Sequence, residues 1–382
     1  MRKALYLLSL ILLAACSEKG SSEKSNSGNI LNNLTFTVDT VVVDPGEEII
    51  DLSNHLRLAD ISEDRKKLFL FTESDNQLSV INLDQLTLQQ KIPYEKEGPN
   101  GVGGFLWNLD LISDEKFYLM SFNTASIFDF KGIKLETINL EEEDILGIKD
   151  KTLQNNRLKV TKDLSWYYTV PGSDFDKEDQ PVELAIINRE SKEGRLFPLP
   201  ALDKTQAYKV ILSDGSMMQV YAEDFFLAEY FEKFYLTSSV TSEIYQIDPK
   251  NDSVVLHSYE LIQTPKEKTD APSRNEFSER EVWRDEITKI HSQITFGELL
   301  WDEQKDYFFR FGGVLIPSGV EGVPSKSTIY LMVFDKELDL LGETELEDLD
   351  ELPEFPFFKD GQLWSYVNVE DELGFSVITF DF

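Results

Sequence analysis

The chain of 382 residues has a single cysteine, Cys16. No intramolecular disulfide can form, so stability must come from buried area. Histidine is nearly as scarce. His55, His257 and His291 are scattered and lack the close spacing or cysteine partners of a zinc set. No metal site and no cofactor is expected. Positive charge is also short: 37 Lys and Arg stand against 70 Asp and Glu, a net charge of −33. Such a field repels phosphate backbones, which argues against nucleic acid as a partner, and it disfavours lying flat on anionic lipid. There is no Gly-x-Ser-x-Gly elbow and no Gly-Lys-Ser/Thr phosphate loop. A hydrolase of the elbow class and a nucleotide-binding loop therefore have no support.

What is present begins at the first residue. Arg2 and Lys3 form a basic start, Ala4 to Ala15 is almost wholly apolar, and Leu13-Ala14-Ala15-Cys16 reads as a lipobox. The apolar run is too short to stay as a membrane span, which needs about 20 residues. We expect a lipoprotein signal over residues 1–15, acylation of Cys16, and a flexible tether over 16–29. Residues 17–29 contain no apolar side chain to pack. Ser17, where an Asp would signal inner-membrane retention, favours the outer membrane. The acyl chains would be the link to the membrane.

Residues 30–382 read as one all-β domain. A polar turn, an aromatic-rich strand, a loop and a second strand recur six times. The aromatic strands are Leu68-Phe69-Leu70-Phe71, Phe117-Tyr118-Leu119-Met120, Trp166-Tyr167-Tyr168, Phe234-Tyr235-Leu236, Tyr307-Phe308-Phe309 and Leu363-Trp364-Ser365-Tyr366. With a strand before each turn and another after, each repeat has four strands, the unit of a propeller blade. The sixth repeat stops one strand short. Thr35 to Val43 is a strand without a repeat, and a lone strand leaves a row of unpaired backbone groups. The expectation is a six-bladed β-propeller closed by that N-terminal strand, paired near Phe375 to Phe382. Seven blades, or another all-β fold, are the alternatives. One segment breaks the pattern: Trp283, Ile287, Ile290 and Ile294 fall at helical spacing, predicting an inserted amphipathic helix over 274–294.

Three stretches carry a family likeness: the lipobox with its tether, Glu97-Gly98-Pro99-Asn100-Gly101-Val102-Gly103, and Phe296-Gly297-Glu298-Leu299-Leu300-Trp301-Asp302-Glu303 leading into Tyr307 to Phe311. This combination resembles an uncharacterised lipoprotein family of the Bacteroidota, a domain of unknown function related to six-bladed TolB-like propellers. The resemblance implies a propeller on an outer-membrane lipid anchor, facing the periplasm or the surface. It brings no catalytic residues.

The chemistry-bearing candidates are few. Four glycines in Gly98 to Gly104 could cradle an anion, but a tight crossing between blades needs the same glycines. Asp174, Asp176, Glu178 and Asp179 crowd one loop with oxygen ligands of the kind calcium takes, and read better as a solvated hairpin tip. Trp107, Trp301 and Trp364 could stack on sugars or fill the core. Trp301 and Arg310, within the family-like stretch, are the expected ligand-binding residues; the competing expectation is that Trp301 is core and Arg310 bridges blades. The function expected is a non-enzymatic envelope module that binds or scaffolds a partner protein or small ligand. The alternative is a propeller enzyme, a hydrolase or lyase, acting on an extracellular glycan through carboxylates near the central channel.

Overall fold

The structure is a computed structural model. It describes residues 28–382 apart from 114, 122–123, 139–144, 149–150, 152, 154–157, 173–179, 214, 216 and 321–322. Cys16 and the acidic cluster at 174–179 lie outside the described residues. No helix among the described residues is long and apolar enough to cross a membrane.

Strand β1 (Thr35–Val42) comes first. The first sheet then holds β2 (Ala59–Ile61), β3 (Lys67–Thr72), β4 (Gln77–Asn82) and β5 (Thr87–Pro93). The second holds β6 (Leu106–Ser113), β7 (Lys116–Ser121), β8 (Ala125–Asp129) and β9 (Lys134–Ile138). The third holds β10 (Lys159–Val160), β11 (Trp166–Thr169), β12 (Glu183–Asn188) and β13 (Gly194–Pro198). A 3-10 stretch, Pro200–Tyr208, leads to β14 (Val210–Ser213) and β15 (Met218–Tyr221). The fourth sheet holds β16 (Phe225–Tyr230), β17 (Lys233–Ser238), β18 (Thr241–Asp248) and β19 (Ser253–His257). Next come β20 (Glu276–Phe277) and helix α1 (Arg280–His291). The fifth sheet holds β21 (Ile294–Asp302), β22 (Tyr307–Ile316), β23 (Lys326–Phe334) and β24 (Leu340–Glu345). Last are β25 (Phe357–Lys359), β26 (Gln362–Val369) and β27 (Glu372–Asp381).

Six sheets thus have four strands each, and β1 is the fourth strand of the last, in the order β1-β27-β26-β25. It pairs antiparallel with β27 from Thr35 opposite Asp381 to Val42 opposite Gly374. The two incomplete ends of the chain therefore satisfy each other's backbone groups.

The aromatic strands are apolar on both faces because each sheet is covered on both sides. Side chains on a strand alternate between faces. On β3, Leu68 and Leu70 pack toward the last sheet, while Phe69 and Phe71 pack toward the second. On β7, Phe117 and Leu119 face the first sheet, and Tyr118 and Met120 face the third. On β12, Leu184 and Ile186 face the fourth sheet. On β17, Tyr235 faces the fifth. On β26, Leu363 packs on the fifth sheet, and Trp364 and Tyr366 pack on the first. Each pair of consecutive sheets shares one core, and the last sheet shares one with the first.

The inserted helix is shorter than expected. It spans Arg280–His291, whereas Glu276–Phe277 forms β20 and Ile294 starts β21. Ser292 ends it, with Ser292 Oγ donating to Thr288 O at 2.9 Å. Ile294 then alternates with Phe296 in the core beside the fourth sheet, a strand period rather than a helical one. Trp283, Ile287 and Ile290 pack on Tyr208, Val210, Leu212 and Phe277. Their platform is a three-stranded sheet, β15-β14-β20, whose β14 and β20 run parallel.

Candidate functional site

The first strands of three sheets each carry one charged side chain between apolar neighbours. On β2 the run is Ala59-Asp60-Ile61, on β6 Leu109-Asp110-Leu111, and at the start of β10 Lys159 stands between Leu158 and Val160. Ala59, Ile61, Leu109, Leu158 and Val160 are buried in the cores between sheets. Alternation then turns Asp60, Asp110 and Lys159 away from those cores. Glu298 on β21 arrives differently. The register of β21 against β22 shifts between Phe296 and Leu299, a bulge that sets Gly297 and Glu298 out of the ladder.

Lys159 and Asp110 form an ion pair, and Asp60 and Glu298 lie near enough for the charges to act on one another. Lys159 Nζ donates to Asp110 Oδ1 at 3.0 Å, and Asn108 Nδ2 donates to Asp110 Oδ2. Asp60 accepts the backbone N–H groups of Leu111 and Ile61, each at 2.7 Å. Burial, and then the Asp110 charge, push the Asp60 carboxyl up to about 6, against those hydrogen bonds and Lys159. Asp110 holds Lys159 above the ordinary lysine value. Protein crowds Glu298, and this desolvation pushes its carboxyl up to about 7, with Asp60 adding to the rise while Lys159 and Arg65 oppose it. Glu298 is nonetheless exposed. The two facts fit one geometry: a carboxyl deep in a cleft that water still enters. Among the described residues Glu298 makes no hydrogen bond.

Beside Glu298 lies a cavity of about 130 Å³, lined by Lys159, Phe225, Leu227, Thr237, Glu298 and Leu299 among others. Thr237 belongs to this wall but is 1% exposed, and its hydroxyl is sealed from the cavity. The third, fourth and fifth sheets all contribute to this wall.

Of the expected site residues, Arg310 is fully buried, with every side-chain nitrogen on a protein carbonyl, the arrangement of the competing expectation. Its Nε donates to Gly297 O at 3.1 Å, Nη1 to Ser242 O at 2.9 Å and Nη2 to Ser238 O at 2.8 Å. It bridges the fourth and fifth sheets and holds the carbonyl next to Glu298. Burial pushes its guanidinium down to about 9, and the Phe296 ring lies 4.9 Å away. Trp301 is half-buried, with Phe308 at 4.7 Å and Phe231 at 4.9 Å between ring centres. Trp364 is core between the last and first sheets, and Trp107 is 47% exposed on β6.

The glycine loop resolves as structure, and a further acidic turn does the same. Gly98 and Gly103 take φ of +95° and +87°, conformations that favour glycine. The amides of Gly101, Val102 and Gly103 are already bound to Gly98 O, Glu95 O and Lys96 O, so they form no anion cradle. Asp248 Oδ1 accepts from Lys250 N and Asn251 N, an Asx turn between β18 and β19. Among the described residues no group of three or more His, Cys, Asp or Glu side chains stands ready for a metal ion.

Asp60, Asp110, Lys159 and Glu298 were not singled out by sequence reasoning. For the first three a signal existed: a lone charge between apolar residues on the first strand of a repeat. Glu298 lies inside the family-like stretch, but only the bulge, a break in alternation, aims it.

No curated protein matches the chain in sequence. Among solved structures, a DUF4221 family member from Bacteroides vulgatus is similar at a TM-score of 0.65 and 13% identity, over 91% of this chain and 98% of that one. A protein from Bacteroides fragilis described as exported reaches a TM-score of 0.50 at 8% identity, over 93% of this chain and 97% of that one. At such identities the likeness is one of fold alone. A family model described as a domain of unknown function, DUF4221, matches residues 27–345, and on that match the chain belongs to the DUF4221 family.

Proposed function

We propose that this protein is a lipid-anchored envelope module, a closed six-bladed propeller that binds a small ligand in its central cleft. The observation that carries the binding reading is the convergence of Asp60, Asp110, Lys159 and Glu298, from four different sheets, on one water-entered cleft beside a cavity, with Glu298 making no hydrogen bond among the described residues. A cavity with a few convergent polar groups and perturbed carboxyls is the usual mark of a ligand site.

The ring reading is supported by the six shared cores, the last of which returns to the first sheet, and by the β1–β27 ladder. Deleting 30–43 should abolish cooperative unfolding, while deleting 17–27 should leave it in place. Equal melting of the two truncations contradicts closure. The anchor is supported by the lipobox and the apolar-free tether, and the exported relative is in keeping with it. Cys16→Ala should lose acyl label and leave the membrane fraction; a variant retained there without label contradicts the anchor.

The binding reading is tested by thermal unfolding against a panel of small probes: saccharides, amino acids, nucleosides and short peptides. Ligand binding to the native state raises the melting temperature. One class should raise it for the parent and not for a Lys159→Met/Glu298→Gln variant. No response from any class, or an equal response from the variant, overturns the reading.

One observation favours the enzymatic alternative. Asp60 and Glu298 are carboxyls raised to about 6 and about 7 in one cleft with Asp110, an arrangement that suits acid–base work. Turnover of an aryl glycoside by the parent and its loss in Glu298→Gln would establish it.

A further inference from the structure

The cavity beside Glu298 has poles of both signs. Among the described residues Lys159 spends one of its three N–H donors on Asp110, leaving two, and Glu298 has no hydrogen bond. The rest of the wall mixes apolar and polar surface, with Phe225, Leu227, Tyr235 and Leu299 among its residues.

A lone cation or a lone anion fits this wall poorly. An amine seated on Glu298 would face the Lys159 ammonium across the same cavity. A carboxylate seated on Lys159 would face Glu298, Asp110 and Asp60. Both lone charges would also be taken out of water with only half the lining in their favour. A ligand carrying both charges meets each pole with its opposite and leaves the total charge of the cleft unchanged. The volume sets the scale. A cavity of about 150 Å³ holds benzene, so about 130 Å³ has room for roughly five or six non-hydrogen atoms. An ammonium and a carboxylate on one carbon make five.

Resting on the binding reading above, we infer that the cavity takes the zwitterionic head of a small apolar α-amino acid, its ammonium on Glu298 and its carboxylate on Lys159. The side chain lies against Leu227 and Leu299 or toward the open cleft. Seating an ammonium on Glu298 favours the ionised carboxylate. A carboxyl raised to about 7 then releases part of a proton when the amino acid binds near neutral pH.

The test is calorimetry on the purified chain with alanine and valine as probes, and with ethylamine and propionate as one-pole controls. An amino acid should bind at least tenfold more tightly than either control. Its enthalpy at pH 7 should vary with the ionisation heat of the buffer. Glu298→Gln should lower affinity about tenfold without lowering the melting temperature, and should remove the buffer dependence. The inference is overturned if ethylamine or propionate binds as well as the amino acids, or if Glu298→Gln binds them like the parent. If no amino acid binds while another class in the probe panel acts on the parent and not on the cleft variant, this inference falls and the binding reading stands. If no class acts at all, both fall.

Discussion

The molecule treats charge in two opposite ways within a short distance. In the dry region behind the fourth and fifth sheets, two buried cations, Lys268 and Arg310, are fully engaged by protein partners. Lys268 and Glu223 form an ion pair at 2.9 Å with side-chain exposures of 0% and 1%. Lys268 Nζ also donates to Ile290 O and Thr295 Oγ1, each at 3.1 Å. Glu223 accepts from Tyr221 at 2.9 Å and from Ser239, and His291 meets the Tyr221 hydroxyl at 2.9 Å. Arg310 has all three of its nitrogens on carbonyls. In the wet cleft, Glu298 makes no hydrogen bond among the described residues. Paired charges in a dry place fix the backbone; an unpaired one beside a cavity is available to something else. The dry network ties the helical insertion to the sheets, and Arg310 holds the bulge that presents Glu298.

The sharpest way to break this comparison is to remove one partner of the dry pair. Lys268→Met strands the Glu223 carboxylate in a dry site, so we expect a loss of about 3 to 5 kcal/mol. Burial already holds Lys268 below the ordinary lysine value, against the pull of Glu223. Lys268→Met/Glu223→Gln should recover part of that loss. Chemical denaturation reads both, and a single variant as stable as the parent would show that the pair holds nothing.

Next in size is Arg310→Met. It leaves three backbone carbonyls without donors, at a cost on the order of 3 kcal/mol or more, and it should slacken the Glu298 bulge. Trp301→Ala should cost about 2 to 3 kcal/mol, below the range for a fully buried Trp because the ring is half-buried. If Arg310→Met keeps its melting temperature, the bridging role assigned to it is wrong.

Smaller still is the pH effect of the cleft. Glu298 has a native pKa raised above its unfolded value, so the folded chain binds more protons at this site. Its contribution is fully present below about 4.5 and is lost as pH rises through about 7. Glu298→Gln removes a group whose ionisation is unfavourable in the fold. The stability of the variant relative to the parent should therefore rise between pH 4.5 and 7.5. A constant difference across that window would mean that Glu298 titrates as an ordinary surface carboxyl.

The comparison also marks what could be read in advance. The six aromatic strands, from Leu68-Phe69-Leu70-Phe71 to Leu363-Trp364-Ser365-Tyr366, were legible because each is apolar on both faces, and burial on both faces leaves that pattern. The β1–β27 pairing was legible from two incomplete ends. The helix was read too long because Ile294 continues the helical spacing by chance while belonging to β21. The sheet β15-β14-β20 was missed because its strands are four, four and two residues long, too short for a period to show. The cleft was the least legible. Asp60 and Glu298 are far apart in sequence, and no periodic pattern records which side chains from different sheets converge. A bulge, moreover, is a departure from pattern. Arg310 was noticed for its place after an aromatic strand, but its donors end on carbonyls one layer behind the site.

The account turns on the cleft being a binding site and the dry network being structural, and one paired measurement tests both halves. Melting temperature and amino-acid affinity are measured together for Glu298→Gln and for Lys268→Met beside the parent. The account predicts that Glu298→Gln melts no lower than the parent and loses affinity about tenfold, and that Lys268→Met melts far lower yet binds like the parent where it is still folded. A Glu298→Gln variant that loses several kcal/mol of stability, with affinity unchanged, would contradict it.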